Sequence, residues 1–371
     1  MRRHANSPSL GQIAQQAGVS RAAVSMALRN HPRIPEATRQ RIQSIAEKLG
    51  WRPNPLLAEA MSAIRAGQPP AERVTLAYIT AHGRRDAWRR VPFFRRCHEG
   101  AASRAASAGY QLEHFWLGDA DGHAARLGDI LYTRGIVGVL IAPLPEPATL
   151  DLQWNRFAAA AVAYTLTEPR LHRAADNHCA SARVAVARLH ATGRKRIGLA
   201  LGASYERRVH GLWSAGYLWQ THELGIEDPS LLHRPAELTE NTFISWVRKT
   251  KPDAVVGTDP RLPGWLRGAG YSLPGDVAFA SLDLPDADGS VAGVYQDAFG
   301  IGACAVDLLA GQLLRHERGL PEKPRTLIVD GRWCDGATAP PSAAVDHELG
   351  EVEHLLSNSG DRLPLRPVPF D

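Results

Sequence analysis

Three side chains that could bind a metal lie close together in the middle of the sequence. His172, Asp176 and His178 fall within one stretch of seven residues, and imidazole and carboxylate groups are common metal ligands. The same spacing fits a loop with histidines on the surface, and we prefer that interpretation. We therefore expect the protein to bind no metal ion and no other cofactor.

The patterns that mark common catalytic sites do not occur in the chain. It has no Gly-x-Ser-x-Gly turn, no His-Glu-x-x-His motif and no phosphate-binding P-loop. The four cysteines are far apart and form no Cys-x-x-Cys pair, so neither a zinc site nor a disulfide framework is indicated. Paired carboxylates for glycoside hydrolysis cannot be identified either. We expect the protein not to be an enzyme.

The distribution of charge indicates a different kind of chemistry. The chain has 371 residues and a formal net charge of +5 at pH 7. Residues 1–67 contain ten arginines and lysines against three glutamates, a net charge of +7, which leaves −2 for the other 304 residues. A compact basic segment on a nearly neutral body is typical of proteins that bind nucleic acid. A solvated helical surface is the alternative.

The basic segment has the pattern of three short helices. Apolar residues recur every three or four positions in three stretches between residues 10 and 49. Gly18 permits a turn after the first helix, Ser20 can cap the second, and Pro35 suits the first position of the third. Two helices joined by a short glycine-containing turn, with a third packed behind them, predict a helix-turn-helix.

The remaining chain divides at proline-rich boundaries. After a DNA-binding head at 1–53, residues 54–70 form a short stretch of helical composition bounded by prolines, which predicts a hinge or linker. Residues 71–336 alternate short apolar runs with amphipathic stretches, a pattern typical of parallel sheets covered by helices. The length favours two similar doubly wound lobes with a ligand cleft between them. The polar, proline-rich tail at 337–371 is expected to be disordered.

Individual elements of the body can be placed from the same alternation. The run VTLAYIT at 74–80 predicts the first strand, and residues 94–108 and 179–191 predict helices. The longest apolar run, at 157–166, has ten residues, whereas a membrane span needs about 20. The N-terminus is basic but lacks the apolar stretch that a secretory signal contains. We expect a cytoplasmic protein without membrane contact.

Several longer motifs occur together along the chain. In the head they are SLGQIAQQAGVSRAAVSMAL, PEATRQRI and LGWRPNP, and in the body HATGRKRIGLALG, PDAVVGTDP, LPGDVAFASLD and YQDAFGIGACAVDLLAGQL. With these motifs the chain resembles the LacI-type (lactose-repressor and galactose-repressor) transcription factors over about residues 9–335. The resemblance implies a helix-turn-helix head on a two-lobed core like that of periplasmic binding proteins. It also implies a sequence-specific DNA-binding regulator, a repressor, controlled by a small molecule.

The resemblance implies which residues of the head contact DNA. In the family the second helix enters the major groove, and the residues at the base-reading positions are here Arg21, Ala22 and Met26. Arg21 can donate two hydrogen bonds to guanine or contact a phosphate only, whereas Ala22 and Met26 offer apolar contacts. Further residues are expected to contact phosphates, with capping or plain surface charge as the alternative. They are Ser20, Ser25, Arg29, Arg33 and Thr38.

The linker departs from the pattern of the family. There, this segment becomes helical on operator DNA and inserts a leucine pair into the minor groove, which kinks the duplex. The positions that match the family's alanine and leucine hold Leu57 and Ala60. Ala60 is too short to insert deeply between base pairs. Either Met61 or Leu57 takes the place of the family's leucine, or the insertion does not occur. Asn54 is expected to cap the segment or contact the DNA backbone, and we expect weaker or differently centred bending.

The resemblance also implies a ligand site in the cleft of the body. Alignment by motif places Asp259 at a family aspartate that accepts hydrogen bonds from sugar hydroxyls, with a helix N-cap as the alternative. Asp283 falls at another family aspartate near the cleft, with a structural turn as the alternative. Gln296 falls on a crossover strand that lines the cleft.

Aromatic residues distinguish this cleft from a typical sugar site. Trp213 stands where the family has an arginine, and it can stack on a sugar ring but cannot donate a pair of hydrogen bonds. Core packing is the alternative for Trp213. Phe93 and Tyr164 are further candidates for the lining. Residues that could compensate for the arginine are Arg207, Arg208 and His210. The interpretation favours a carbohydrate or glycoside effector.

Three functions remain open at this point. The leading hypothesis is a regulator that binds a two-fold-symmetric site on double-stranded operator DNA as a homodimer or tetramer and is switched by a small ligand. The second is a DNA-binding regulator whose degenerate cleft is controlled by a protein partner. The third is a sugar-processing enzyme that carries a DNA-binding head.

Overall fold

The computed structural model describes residues 10–28, 34–49 and 74–341. The chain forms two compact units, an N-terminal head and a body. The predicted linker at 54–70 lies outside the described residues. Within the described ranges, no helix is long and apolar enough to cross a membrane.

The head consists of three helices around a small apolar core, as the sequence predicts. They are α1 (Leu10–Ala17), α2 (Arg21–Leu28) and α3 (Glu36–Lys48). Each helix contributes one apolar stripe, and the buried side chains are Ile13, Ala14, Ala17, Val24, Ala27, Ile42 and Ala46. Because the stripes recur at helical spacing, the three helices can close a core in fewer than 50 residues. The predicted helix-turn-helix is confirmed.

The turn between the first two helices is built by a glycine and a serine. Gly18 adopts a φ of +64°, a conformation that favours glycine. The Val19 N–H then donates to the Ala14 carbonyl at 3.1 Å and satisfies the end of α1. The Ser20 hydroxyl accepts from the Ala23 N–H at 3.1 Å and caps α2. The turn therefore fixes the direction in which α2 starts.

Side chains of α3 hold the ends of the other two helices. Arg41 Nη2 donates to the Ala17 carbonyl at 3.2 Å, and Gln43 Nε2 donates to the Ala27 carbonyl at 3.3 Å. Both bonds satisfy carbonyls that have no partner within their own helix. Pro35 immediately precedes α3 instead of occupying its first position, so that prediction was wrong by one residue.

The body contains two six-stranded sheets covered by helices. The first sheet comprises β1 (Val74–Thr80), β2 (Tyr110–Trp116), β3 (Gly138–Ile141), β5 (Ala158–Val162), β7 (His172–Asp176) and β13 (Thr326–Val329). The second comprises β8 (Ile197–Ala200), β9 (Leu232–His233), β10 (Ala254–Gly257), β11 (Ala278–Ser281), β12 (Ala292–Tyr295) and β14 (Arg332–Cys334). A separate pair is formed by β4 (Ala148–Thr149) and β6 (Leu166–Glu168). The helices are α4 (Pro92–Ser107), α5 (Ala124–Thr133), α6 (His178–Ala191), α7 (Ala203–Arg208), α8 (Leu212–Glu223), α9 (Glu240–Thr250), α10 (Leu262–Gly268) and α11 (Ala298–Leu314).

Both sheets repeat one strand order. The order is β2-β1-β3-β5-β7-β13 in the first and β9-β8-β10-β11-β12-β14 in the second. In each, the first strand along the chain lies between the second and the third, which is the doubly wound arrangement. All pairs of the second sheet are parallel except β12 with β14, which is antiparallel at one edge. The predicted pair of doubly wound lobes is confirmed.

The strands of the second sheet are apolar on both faces. Alternate side chains enter two different clusters, one with Leu199, Val256 and Ala280 and the other with Ala200, Val255 and Phe279. A parallel strand buried on both faces reads as a continuous apolar run. This is why the body's strands are visible in the sequence as short runs without alternation.

The chain crosses between the lobes three times. The first lobe is built around the first sheet and the second lobe around the second sheet. The crossing segments are residues 176–177, 296–297 and 330–331. Asn177 connects two of them, since its Nδ2 donates to Asp330 Oδ1 at 2.8 Å and its N–H donates to the Val329 carbonyl at 2.9 Å. These segments join the lobes covalently on one side of the body.

The predicted disordered tail, 337–371, begins too early. Thr338 is fully buried, and its hydroxyl donates to the Phe279 carbonyl at 2.8 Å and accepts from the Ala292 N–H at 2.9 Å. Ala339 is 5% exposed and belongs to the core of the second lobe. The ordered body therefore extends at least to Ala339. Residues 342–371 lie outside the described part of the chain.

The histidine-rich stretch is not a surface loop, so that interpretation was wrong. His172 and Asp176 lie at the two ends of β7, and His178 is the first residue of α6. The three residues are 7%, 1% and 4% exposed. Strand and helix meet here because the Asn177 side chain accepts from the Ala180 N–H at 3.2 Å and caps α6. Among the described residues, no group of three or more potential ligands could hold a metal ion.

Candidate DNA-binding head and ligand cleft

Helix α2 carries the residues that are expected to face DNA. Arg21, Ala22, Ser25 and Met26 lie within its bounds, and the structure describes only the Met26 side chain of these four, which is half-buried. Ser20 makes the capping bond described above. Thr38 is half-buried in the first turn of α3. The other candidates lie outside the described residues: Arg29, Arg33, Asn54, Leu57, Ala60 and Met61. Their contacts with DNA stay predictions.

In the body, polar and aromatic side chains gather where strands of the two lobes end. Asp176 is the last residue of β7, Tyr164 follows β5, and Asp283 follows β11. The carboxyl ends of parallel strands are where ligands bind in doubly wound folds. Arg208, at the end of α7 in the second lobe, donates from Nη1 to the Pro145 carbonyl of the first lobe. Both lobes therefore contribute to one cleft.

Four rings form a continuous row across this cleft, which we call the ring row (Tyr164, His178, His210 and Trp213). The ring centres are 5.5 Å apart for His210 and Tyr164, 5.8 Å for Tyr164 and His178, and 4.7 Å for His178 and Trp213. Tyr164 comes from the first lobe and the other three from the second. The row runs from His210, which is exposed, to Trp213, which is 5% exposed.

A buried carboxylate lies beside the histidine of the ring row. His178 Nδ1 lies 3.0 Å from Asp176 Oδ2, and the Ser181 hydroxyl donates to the same oxygen at 3.1 Å. Asp176 Oδ1 has no hydrogen-bond partner among the described residues. His178 Nδ1 makes no hydrogen bond with a described residue despite this short distance. Asp176 thus lies beside His178, whose ring stands between those of Tyr164 and Trp213.

Asp283 brings a second carboxylate to the same place. Its backbone N–H donates to the Ser281 hydroxyl at 3.1 Å, but its half-buried carboxylate makes no hydrogen bond or ion pair with a described residue. Burial and then the charge of Asp176 raise the pKa of Asp283 to about 6, while His178 and Arg208 act in the opposite direction. A carboxylate without a protein partner can accept hydrogen bonds from the hydroxyls of a ligand.

Two of the predicted effector residues are engaged within the protein. The Asp259 carboxylate accepts from Arg261 Nη2 at 2.7 Å and from the Arg261 N–H at 2.9 Å, just before α10. This is a turn ahead of the helix and not the N-cap of the structural alternative, because Arg261 is the N-cap residue and α10 has no side-chain capping bond. Gln296 is 4% exposed, and its Nε2 donates to the Leu282 carbonyl at 2.9 Å. Neither contact tests a role in ligand binding.

The two apolar candidates occupy different environments. Trp213 belongs to the apolar cluster of the second lobe, as its alternative of core packing proposed, and its Nε1 has no hydrogen-bond partner among the described residues. Phe93 is half-buried in the first turn of α4, with its ring centre 6.0 Å from that of Phe94. Trp213 is nevertheless in contact with His178, so it also forms the inner end of the ring row.

The sequence missed Asp176 and His178 as residues of the cleft. From the sequence alone they suggest only metal ligands or a surface loop, because a strand of five residues with polar ends gives a weak signal. The signal that could have found them is the Asp-Asn pair before an amphipathic stretch. An asparagine in that place caps a helix, and a helix that starts there places its first side chain at the end of the preceding strand.

The two units define a class of protein: a helix-turn-helix DNA-binding head joined to a two-lobed body of the periplasmic-binding type. Residues 9–54 match the family described as bacterial regulatory proteins, lacI family. Residues 186–338 match the periplasmic binding protein-like domain. Together the two matches support a LacI-type DNA-binding regulator of transcription.

Relatives match along most of the chain. The HTH-type transcriptional repressor CytR of Escherichia coli K12 is 27% identical over 326 residues, which cover 82% of this chain and 89% of the relative. Two solved structures share the fold. A transcriptional regulator CelR–cellobiose complex is 21% identical with a TM-score of 0.56, covering 89% of this chain and 99% of the other. A lac repressor dimer bound to operator and the anti-inducer ONPF is 15% identical with a TM-score of 0.53, covering 90% and 100%.

Proposed function

We propose that the protein is a repressor that binds a two-fold-symmetric operator as a homodimer in the cytoplasm. A small carbohydrate bound between the lobes controls its affinity for the operator. The observation that carries the proposal is the cleft to which Tyr164 and Arg208 contribute from opposite lobes, with the Asp283 carboxylate free of protein partners. The proposal includes no catalytic step.

Support for a carbohydrate comes from the chemistry of the cleft. Sugar hydroxyls are donors that a carboxylate such as Asp283 accepts, and the apolar face of a sugar ring packs on aromatic rings. The relative CelR is described in complex with cellobiose. A ligand that contacts both lobes favours one arrangement of the lobes over others, and this difference can change the affinity of the heads for DNA.

A second candidate function is a regulator whose cleft binds no metabolite and whose body docks a protein partner. The observation in its favour is that the side chains of Asp259 and Gln296 are already bonded within the protein and Trp213 is buried in the core. These contacts reduce the number of groups left for a small ligand. The two candidates share the operator and differ in the effector.

The test is selection of fragmented genomic DNA by the purified full-length chain, followed by sequencing. Salt is kept near physiological, because phosphate contacts alone enrich all DNA at low salt. We expect recovery of a two-fold-symmetric site. Replacing Arg21 with alanine should relax the preference at one base pair of each half-site, at a cost of about 1–3 kcal/mol in binding.

Repeating the selection with candidate sugars distinguishes a carbohydrate effector from a protein partner. Loss or gain of the site with one sugar supports the carbohydrate, whereas a site that is indifferent to all sugars supports the protein partner. If the full-length chain prefers no duplex sequence under any of these conditions, the operator part of the proposal fails as well.

A further inference from the structure

Arg208 is a half-buried cation without a counter-ion. Its Nη1 donates to the Pro145 carbonyl and its guanidinium lies 5.5 Å from the centre of the Phe94 ring. No carboxylate among the described residues is within ion-pair distance of it. Burial lowers the pKa of Arg208, and the charges of Glu146 and Asp283 oppose that effect. Removing a charge from water without pairing it is costly, so this position favours an incoming anion.

His82 contributes an unsatisfied polar group next to Arg208. It follows β1, is 8% exposed, and its ring packs against Phe94 with 5.2 Å between ring centres. Both ring nitrogens are buried and have no hydrogen-bond partner among the described residues. Burial, and then the nearby charge of Arg208, lower the pKa of His82. A neutral imidazole still offers one N–H, which an anionic oxygen can accept.

The N-terminus of α4 lies at the same place. Val91 precedes the helix without a side-chain capping bond, and Phe94 belongs to the first turn. Free N–H groups of a first turn carry partial positive charge and favour anions. The segment 84–96 adds six arginines and one acidic residue. Of these, Arg84 and Arg90 form no hydrogen bond or ion pair through their side chains with any described residue.

We infer that the ligand of the cleft is an anionic carbohydrate, a polyol that carries a carboxylate or a phosphate, and that Arg208 binds its anionic group. His82 and the first turn of α4 add hydrogen-bond donors around that group. The hydroxyls of the same ligand donate to Asp283. The inference rests on the proposed function, because it names the class of ligand for the same cleft.

The experiment compares three probes that share one pyranose ring: glucose, glucuronate and glucose 6-phosphate. Each is titrated calorimetrically into the full-length protein at constant ionic strength. We expect glucuronate or glucose 6-phosphate to bind about tenfold more tightly than glucose, since a hydrogen-bonded charge pair contributes at least that factor. The stronger of the two anionic probes identifies carboxylate or phosphate as the natural group.

Variants show whether the preference comes from Arg208. In Arg208→Gln the advantage of the anionic probe should fall below about twofold, and Arg208→Lys should keep part of it because the charge remains. Arg248→Gln, which removes an exposed charge on α9 of the same lobe, should leave the preference unchanged. Thermal unfolding of the free variants shows that each is folded.

Several results would overturn the inference. Equal binding of all three probes would do so, and so would an anionic preference that persists in Arg208→Gln. In both cases a sugar that changes operator affinity leaves the proposed function standing. Binding of none of the probes at millimolar concentration also contradicts the inference, and the genomic selection then decides the proposed function on its own.

Discussion

Asp283 keeps a carboxylate in a place that disfavours its charge. Its pKa of about 6 in the folded protein lies above the ordinary value of 3.8. A raised carboxyl pKa means that the folded state binds the proton more tightly than the unfolded state does. The penalty is therefore absent below about pH 4, grows as the pH rises through 6, and is fully present at pH 7.

Asp283→Asn should accordingly stabilise the ligand-free protein at neutral pH. We expect its free energy of unfolding at pH 7 to exceed that of the natural chain by about 1–3 kcal/mol, with no difference near pH 4. Chemical denaturation across this range measures both. Asp286→Asn, in the same loop but exposed, is the matched control and should show no such trend. A gain in the free energy of unfolding that is independent of pH would contradict the raised pKa of Asp283.

At the level of single residues, sequence motifs placed Asp283 and Tyr164 just after strands, where the structure has them, and their contact with a ligand stays a prediction. They could not show that Asp259 is held by Arg261 or that Gln296 donates to Leu282. These bonds depend on side-chain directions that only the packed fold determines. Arg208 was one of three candidates to compensate for Trp213, and its position against Pro145 follows from the pairing of two lobes, which no local pattern specifies.

Helices and strands were predicted well wherever they are apolar. The expected strand at 74–80 coincides with β1, and the helices expected at 94–108 and 179–191 begin within two residues of α4 and α6. The sequence could not reveal which strands pair, because β7 and β13 are neighbours although about 150 residues separate them.

Two close approaches fix the packing of α4 on α11. A methyl group at Gly100 would overlap the Phe299 carbonyl, and one at Gly302 would overlap the Cys97 carbonyl. Gly100→Ala should therefore lower the free energy of unfolding by about 1–3 kcal/mol, because backbone has to move. Gly264, in α10, has open space around it, and Gly264→Ala should raise stability by up to about 1 kcal/mol. Thermal unfolding of both variants measures the difference. Equal shifts of the unfolding temperature would refute the packing argument.

The two lobes and the head together should behave as a coupled system. If a ligand changes operator affinity by some factor, bound operator must change ligand affinity by the same factor. The ring row crosses between the lobes through the contact of Tyr164 with His210. His210 has a φ of +56°, which asparagine tolerates. His210→Asn therefore removes the ring without straining the backbone. We expect the variant to keep the ligand-free affinity for the operator, while the factor by which ligand changes that affinity moves closer to one.

Fluorescence anisotropy with operator DNA and calorimetry with ligand measure the two sides of this coupling. His222→Asn, an exposed histidine on α8, is the control and should keep the full factor. A coupling factor unchanged in His210→Asn would show that the ring row does not transmit the change between lobes.

The three crossing segments have a consequence for synthesis on the ribosome. The first lobe starts with β1, but its edge strand β13 is at Thr326–Val329, after all five parallel strands of the second lobe. The second lobe can thus assemble its parallel strands before β13, the last strand of the first lobe, has been synthesised. A nascent chain stalled after β12 would contain all the cleft residues named above but would lack β13, the partner of β7 in the first sheet. The order of translation therefore postpones completion of the first sheet until nearly the whole body has emerged.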